Sequence, residues 1–214
     1  MTDVSVTTPK RQADRAAERQ WLRRGELLEA ARQVFEREGY HATTVSSIVQ
    51  AAGLSQGAFY LYFADKKSIF AALQDEMETL LRRRIYWAAR NEANPERRLY
   101  AGLHAFFEYY QDYPEWNRRL WLEGLAIDPA FELRQRRLHE SLAGAFAPTL
   151  SELEIEETTA ATFALIGLAS QLAYWDQFHR GPRARFGPAR LARAATDLFI
   201  SGAQHIHLQG GTNG

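Results

Sequence analysis

The chain has 214 residues, and its 26 Lys and Arg are balanced by 26 Asp and Glu. That length allows one large domain or two small ones, and a hydrophobic content of 46% excludes wholesale disorder. The lack of Cys excludes a disulfide frame, a Cys-based zinc site and a thiol nucleophile, and zero formal net charge leaves nucleic-acid binding to rest on local charge.

The first twenty residues are polar and carry no apolar signal core. Residues 1–18, with Lys10, Arg11 and Arg15, read as a flexible basic tail, and residues 209–214 as a second flexible tail. The first helix is expected over about 20–38, with Leu27, Ala31, Val34 and Phe35 on one face and Gly39 as its stop. Thr43 or Thr44 then caps a short helix whose apolar face is Val45, Ile48, Val49 and Ala52. Gly53 breaks it, Ser55 is the next cap, and a second short helix runs over about 56–63. A longer helix starts at about Lys66, with Ile69, Leu73, Met77 and Leu80 inward.

Five larger helices are expected beyond Pro95, at about 96–111, 114–126, 129–146, 154–178 and 188–207, with several prolines marking their starts. No alternating Val/Ile/Thr run predicts a strand. The most apolar stretch, 160–175, is short for a membrane span and holds Ser170 and Gln171, so it reads as a buried helix of a soluble, cytoplasmic protein. The expected fold is all-α: a small N-terminal unit over 19–66 and a larger helical bundle over 67–208, with the composition shifting near 82–95.

Two short helices joined by a Gly-containing turn make a helix-turn-helix, whose second helix fits a major groove about 12 Å wide. Val45, Ile48, Val49 and Leu54 hold the pair together, and Phe59 and Phe63 dock the second helix. Gln56, Gly57, Ala58, Tyr60, Leu61 and Tyr62 are left partly free. Gln56 suits a base edge, small Gly57 and Ala58 let the backbone approach, and Ala58 or Leu61 suits a thymine methyl. Thr43, Thr44, Tyr60 and Tyr62 offer hydroxyls to phosphates, and Lys66 offers a charge near a helix start. Spacing alone also fits a pair of short core helices with a surface tyrosine.

The stretch 39–66 runs Gly39-Tyr40, Thr43-Thr44-Val45, Ile48-Val49, Ala52-Gly53-Leu54-Ser55, Gly57, Phe59-Tyr60, Tyr62-Phe63 and Lys66. It closely resembles the TetR family signature, G-[YF]-x-x-T-[ST]-[VI]-x-x-I-[AV]-x-x-A-G-[VL]-S-x-G-x-[FL]-Y-x-[YH]-F-x-x-K. The resemblance implies an all-α homodimer that usually represses transcription, with an operator-binding N-terminal domain and a C-terminal domain that binds a small effector. By matched position it carries over Thr43, Thr44, Ser55, Gln56, Gly57, Tyr60, Tyr62 and Lys66 as DNA-contact candidates. Lys67, where the family usually has an acid, and Gln56, where a basic residue or Thr is common, depart from it.

Gly53-Leu54-Ser55-Gln56-Gly57 also matches the G-x-S-x-G elbow of hydrolases, with Asp65 and His104 following in order. That elbow needs a preceding strand, and a helix is expected here, so no enzyme is expected. No G-x-G pair occurs, and His104 with Glu108 at i, i+4 lacks a third metal ligand, so neither a cofactor nor a metal is expected.

The C-terminal half is rich in aromatics, most of which must be core. Those expected to line an effector cavity are Leu103, His104, Phe107, Tyr110, Trp121, Leu125, Tyr174 and Phe178, which favour an apolar or aromatic ligand. The last two helices mix small residues with Leu165, Leu168, Leu172, Leu198, Phe199 and Ile206, a pattern suited to a four-helix dimer interface. The partners expected are therefore a double-stranded operator, a small-molecule effector and a second copy of the chain, whose recognition helices sit about 34 Å apart. A ligand-independent regulator, or a helical interaction module with a vestigial helix-turn-helix, would have the same outline.

Overall fold

The computed structural model describes residues 9–127, 130–155, 157–181 and 184–203. Among them there is no strand, as the sequence predicts. The helices are α1 (Pro9–Ala42), α2 (Val45–Ala52), α3 (Gln56–Tyr60), α4 (Lys66–Ala89), α5 (Pro95–Asp112), α6 (Pro114–Ile127), α7 (Ala130–Glu152), α8 (Thr158–Tyr174) and α9 (Pro188–Ala203). A π-helical turn, Trp175–His179, extends α8. No described helix is long and apolar enough to cross a membrane.

The chain divides into two compact units, one through Asp75 and one from Glu76. The division falls further along α4 than the expected 66/67, because the first turns of α4 give Ile69, Phe70 and Leu73 to the first unit's core. α1 runs back to Pro9, so residues 9–18, expected as tail, lie within a helix. The turn formed by Arg19 Nε on the Arg15 carbonyl, at 3.2 Å, and good helix formers such as Ala, Arg and Glu sustain it there. Residues 1–8 and the 209–214 tail lie outside the described residues.

In the first unit α1 packs on α2, and α2 on α3. Leu27, Ala31, Val34 and Phe35 of α1 meet Ile48, Val49, Phe59 and Phe63 in a closed apolar core. Arg32, bonded to Glu29 and Glu36 of its own helix at 2.6–3.0 Å, sits along the flank, and its hydrogen bond holds the Glu29 carboxyl below the usual range. Helical geometry is interrupted at Gly39, whose φ of 79° favours glycine, before a last turn to Ala42. Tyr40 then folds back, its ring 5.9 Å from Phe35 and 5.0 Å from Phe70.

In the second unit α5 is the central helix: it packs chiefly on α9 and also on α7 and α8, while α7 packs on α8. Asn94 caps α5 by accepting from the Arg97 N–H at 2.9 Å, with Pro95 at its first position. Leu99, Leu103, Phe106, Phe107 and Tyr109 form its buried face. Burial raises the Tyr109 phenol's pKa, with the neighbouring Tyr110 and Tyr113 adding to the shift.

Two boundaries differ from expectation. α7 runs on through Pro148 to Glu152, past its expected end near 146, and the following Thr149 and Leu150 are buried. α8 begins at Thr158, after Glu154 has taken a positive φ of 60°, which breaks the chain before the apolar run. Leu80 is only half-buried, and Leu81 takes the inward place expected for it.

Candidate nucleic-acid interface

The turn between α2 and α3 is built by three local devices. Thr44 is the N-cap of α2 and forms a reciprocal box: its Oγ1 accepts from the Ser47 N–H at 3.0 Å, and its own N–H donates to Ser47 Oγ at 3.0 Å. Gly53, at φ 65°, ends α2 in the left-handed region. Ser55, in extended geometry, caps α3 by accepting from the Ala58 N–H at 3.2 Å. α3 is shorter than expected and stops at Tyr60, although the Phe63 N–H still reaches the Phe59 carbonyl at 3.0 Å and carries the coil one turn on.

This frame leaves one edge of α3 outward. Phe59 is fully buried and Phe63 nearly so, while Gln56 and Gly57 are exposed, Tyr60 is 57% exposed and Leu61 is 78% exposed. Ala58 and Tyr62 are half-buried. A five-residue helix with a Gly and an Ala in its first turn presents little bulk, so its backbone can come close to a base-pair edge. Thr44 and Ser55 are exposed at the two caps, where their hydroxyls are partly used within the chain.

Two expected contacts have other roles. Thr43 is 1% exposed and donates its hydroxyl to the Gly39 carbonyl at 2.7 Å, so it locks the end of α1 and has no surface to give a phosphate. The Lys66 ammonium donates to the carbonyls of Tyr40 at 2.7 Å, Thr43 at 2.8 Å and His41 at 3.3 Å, and stands 4.5 Å over the Tyr40 ring. Its three donors are thereby engaged at the end of α1. A cation there also meets the negative end of the helix dipole. Burial lowers the ammonium's pKa, and the carbonyl dipoles hold the charge in place.

The hydrolase-like elbow lacks the strand it needs. A helix, α2, precedes Ser55. Asp65 is tied to α4 by accepting from the Ser68 N–H at 2.7 Å, as a helix cap does. Among the described residues no group of three His, Asp or Glu gathers as for a metal, and His104 Nδ1 stands 3.6 Å from Glu108 Oε2 alone.

In the second unit the structure describes six of the eight side chains expected to line an effector cavity. Leu103 and Phe107 are core, Tyr110, Tyr174 and Phe178 are half-buried, and the side chains of Trp121 and Leu125 lie outside the described residues. His104 lines a polar cleft of about 730 Å³ with Arg84, Glu108, Asp112 and Arg190. Phe107 lines a cavity of about 70 Å³ beside the π-helical turn. A third cavity, of about 590 Å³, lies between α4, α5 and α7 and was not foreseen. Its sequence signal is the run Arg82-Arg83-Arg84-Ile85-Tyr86-Trp87, which sets cations beside aromatics on one helix.

The expected dimer residues also divide. Leu165 and Phe199 fill the chain's own core and have no surface to offer. Leu168 and Leu172 are half-buried, Leu198 is 61% exposed, and Ile206 lies outside the described residues.

A family model described as bacterial regulatory proteins, tetR family, matches residues 27–73. The transcriptional regulator BetI of Burkholderia cenocepacia is 32% identical over 157 residues, 68% of this chain and 78% of its own. The transcriptional activator FasR of Mycolicibacterium smegmatis is 27% identical over 158 residues, 72% of each chain. The solved fatty acid degradation regulator FadR of Bacillus halodurans superposes with a TM-score of 0.72 at 20% identity, covering 86% of this chain and 97% of that one, a likeness of fold.

Proposed function

The chain belongs to the tetR family of bacterial regulatory proteins and is a DNA-binding transcriptional regulator, not an enzyme; from that premise we propose that it is a homodimeric repressor, released from its operator by a small molecule bound in the second unit. The observation that carries the reading is the outward edge of α3. Gln56, Gly57, Tyr60 and Leu61 are exposed, while Phe59 and the capped turn hold that edge rigid from behind.

In this reading Gln56 addresses a base edge, Leu61 and Ala58 address a thymine methyl, and the Tyr60, Tyr62 and Thr44 hydroxyls meet phosphates. Arg15, Arg19 and Arg23 are exposed along the first half of α1 and extend the phosphate track. Arg24 belongs instead with the fold, its guanidinium 5.4 Å from the Phe63 ring centroid. The dimer face is made by the exposed side of α8 and α9. Phe163 and Trp175 stand out beside small, exposed Ala164 and Gly167 on the α8 side, and Leu198 beside Ala194 and Gly202 on α9. The small residues permit close approach, and the large ones supply apolar area.

Release follows from linkage. An effector shifts the DNA-binding equilibrium only by its differential affinity for the two bundle shapes. α4 begins within the first unit and ends within the second, which makes it the element through which such a difference is transmitted. The test is fluorescence anisotropy, nuclease footprinting and run-off transcription on the gene's own upstream region. A salt-sensitive, two-fold symmetric footprint with lowered transcription supports the reading, and failure to bind any genomic fragment sinks it. Raised transcription would favour activation, a second reading kept because a 27% identical relative carries the name of an activator.

A further inference from the structure

The cavity between α4, α5 and α7 carries an inference that rests on the effector reading above and names the class of ligand. Its floor is apolar: Ile85, Leu142 and Phe146 are buried. Its rim is cationic, with Arg82, Arg90 and Arg98 and no carboxylate among the lining residues. Arg98 is committed within the chain, to Glu152 at 2.7 Å and to the carbonyls of Glu92 at 3.0 Å and Ala93 at 3.2 Å.

The other two cations meet no carboxylate among the described residues. Arg82 donates to two uncharged hydroxyls, Ser141 and Thr79, each at 3.2 Å. Arg90 lies 3.7 Å over the Trp87 ring. The larger polar cleft is different in kind: Arg84 there is paired with Asp112 at 2.6 Å, and the Glu108 carboxylate lines it as well.

We propose that the ligand of this cavity is an amphipathic organic anion, a carboxylate on an apolar body. The carboxylate bonds to the guanidinium groups of Arg82 and Arg90, and the body lies on Ile85, Leu142 and Phe146. A guanidinium fork matches a carboxylate's two oxygens, and the wet rim leaves both arginines hydrated until the anion arrives. The cavity, about 590 Å³, falls in the range that encloses a small organic ligand. Burying the body removes apolar surface from water, while the head stays at the mouth, so no charge is stranded on the floor.

The experiment uses the full-length protein and calorimetry with two matched pairs of probes: decanoate against decanol, and 4-phenylbutyrate against 4-phenylbutanol. The acids are expected to bind at least about tenfold more tightly than their alcohols, with affinity falling as salt rises. Arg82→Gln and Arg90→Gln should each cost the acids about tenfold, with alcohol affinity and thermal midpoint held, and the double variant should abolish the preference. Preference for decanoate or for phenylbutyrate identifies the body, and either supports the shared head chemistry.

Acids binding no better than alcohols, a preference that survives the double variant, or no binding by any probe overturns the proposal. Operator affinity measured in parallel separates it from the functional reading. Arginine-dependent acid binding that leaves operator affinity unchanged upholds the anion site and removes the release mechanism. Release by the alcohols alone keeps the mechanism and removes the anion site.

Discussion

Replacing Lys66 by Met separates a clamp from a phosphate contact. The ammonium makes two short charge-assisted bonds, 2.7 and 2.8 Å, a longer one at 3.3 Å, and a ring contact at 4.5 Å. Hydrogen bonds to a charged group contribute about 1.5–3 kcal/mol each and a cation–π contact about 0.5–1 kcal/mol, but these terms are not additive and this site is partly wet. A loss of about 2–3 kcal/mol from the first unit is expected, which is about a 30- to 150-fold loss of amide protection.

Hydrogen exchange followed at the α1, α2 and α3 amides reads that loss directly. The salt dependence of operator affinity reads the alternative. A phosphate neutralised by Lys66 in each subunit of a dimer would steepen log K against log salt by about 0.9 per contact, so the variant would flatten the slope by about 1.8. The clamp assigns Lys66→Met a large loss of protection with an unchanged slope for the folded fraction. Full protection with a flattened slope would refute the assignment and restore Lys66 to the DNA interface.

The other predictions concern separate parts of the chain. Gln56→Ala, at an exposed position of α3, should relax sequence preference at one base pair, by about 1–3 kcal/mol between the best and the wrong base, with the salt slope kept; an unchanged preference across an operator library removes Gln56 as a reader. Burial lowers the His139 pKa from its ordinary 6.5, so below that value the unfolded chain takes up a proton that the folded chain resists. Stability is therefore expected to fall as pH drops from about 7.5 to about 5.5, and His139→Gln should flatten urea-derived stability across that window; a variant with the parent's slope would count against the assignment. Gly102→Ala would set a methyl 3.1 Å from Phe146 Cε1 and 3.5 Å from Ile85 Cγ2. The ring must yield into the cavity floor, while alanine regains about 1 kcal/mol of helix propensity, so the thermal midpoint should hardly move and decanoate binding should weaken; undiminished binding would place the ligand off that floor.

How much was legible in the sequence varies along the chain for physical reasons. The capped turn from Thr44 to Ser55 uses local bonds, each within a few residues, and such devices have a sequence spacing. Thr43 and Thr44 are chemically alike, however, and only the left-handed bend at Gly39 decides that Thr43 turns inward to its carbonyl. The Lys66 clamp joins residues 23 to 26 positions apart, a contact that no local pattern announces. α8 is apolar on nearly every side, so periodicity does not tell buried Leu165 from exposed Phe163.

Aromatic side chains report mass, not location, so the sequence does not divide core from cavity lining in the second unit. Leu103 and Phe107 are both buried on α5, yet Phe107 also lines a small cavity, a difference that composition does not announce. The family model covers 27–73, while the likeness of fold to a solved regulator covers 86% of the chain at 20% identity. The two spans differ for a reason. A DNA groove has one width and one spacing of phosphates, so the surface that meets it admits few solutions and keeps a readable pattern. A bundle cavity has only to match its own ligand, and any set of residues with the right volume will pack around it. What distinguishes one such cavity from plain core is an imbalance the fold itself does not require. In this chain that imbalance is the pair of arginines, Arg82 and Arg90, held over an apolar floor with no carboxylate among the described residues to answer them.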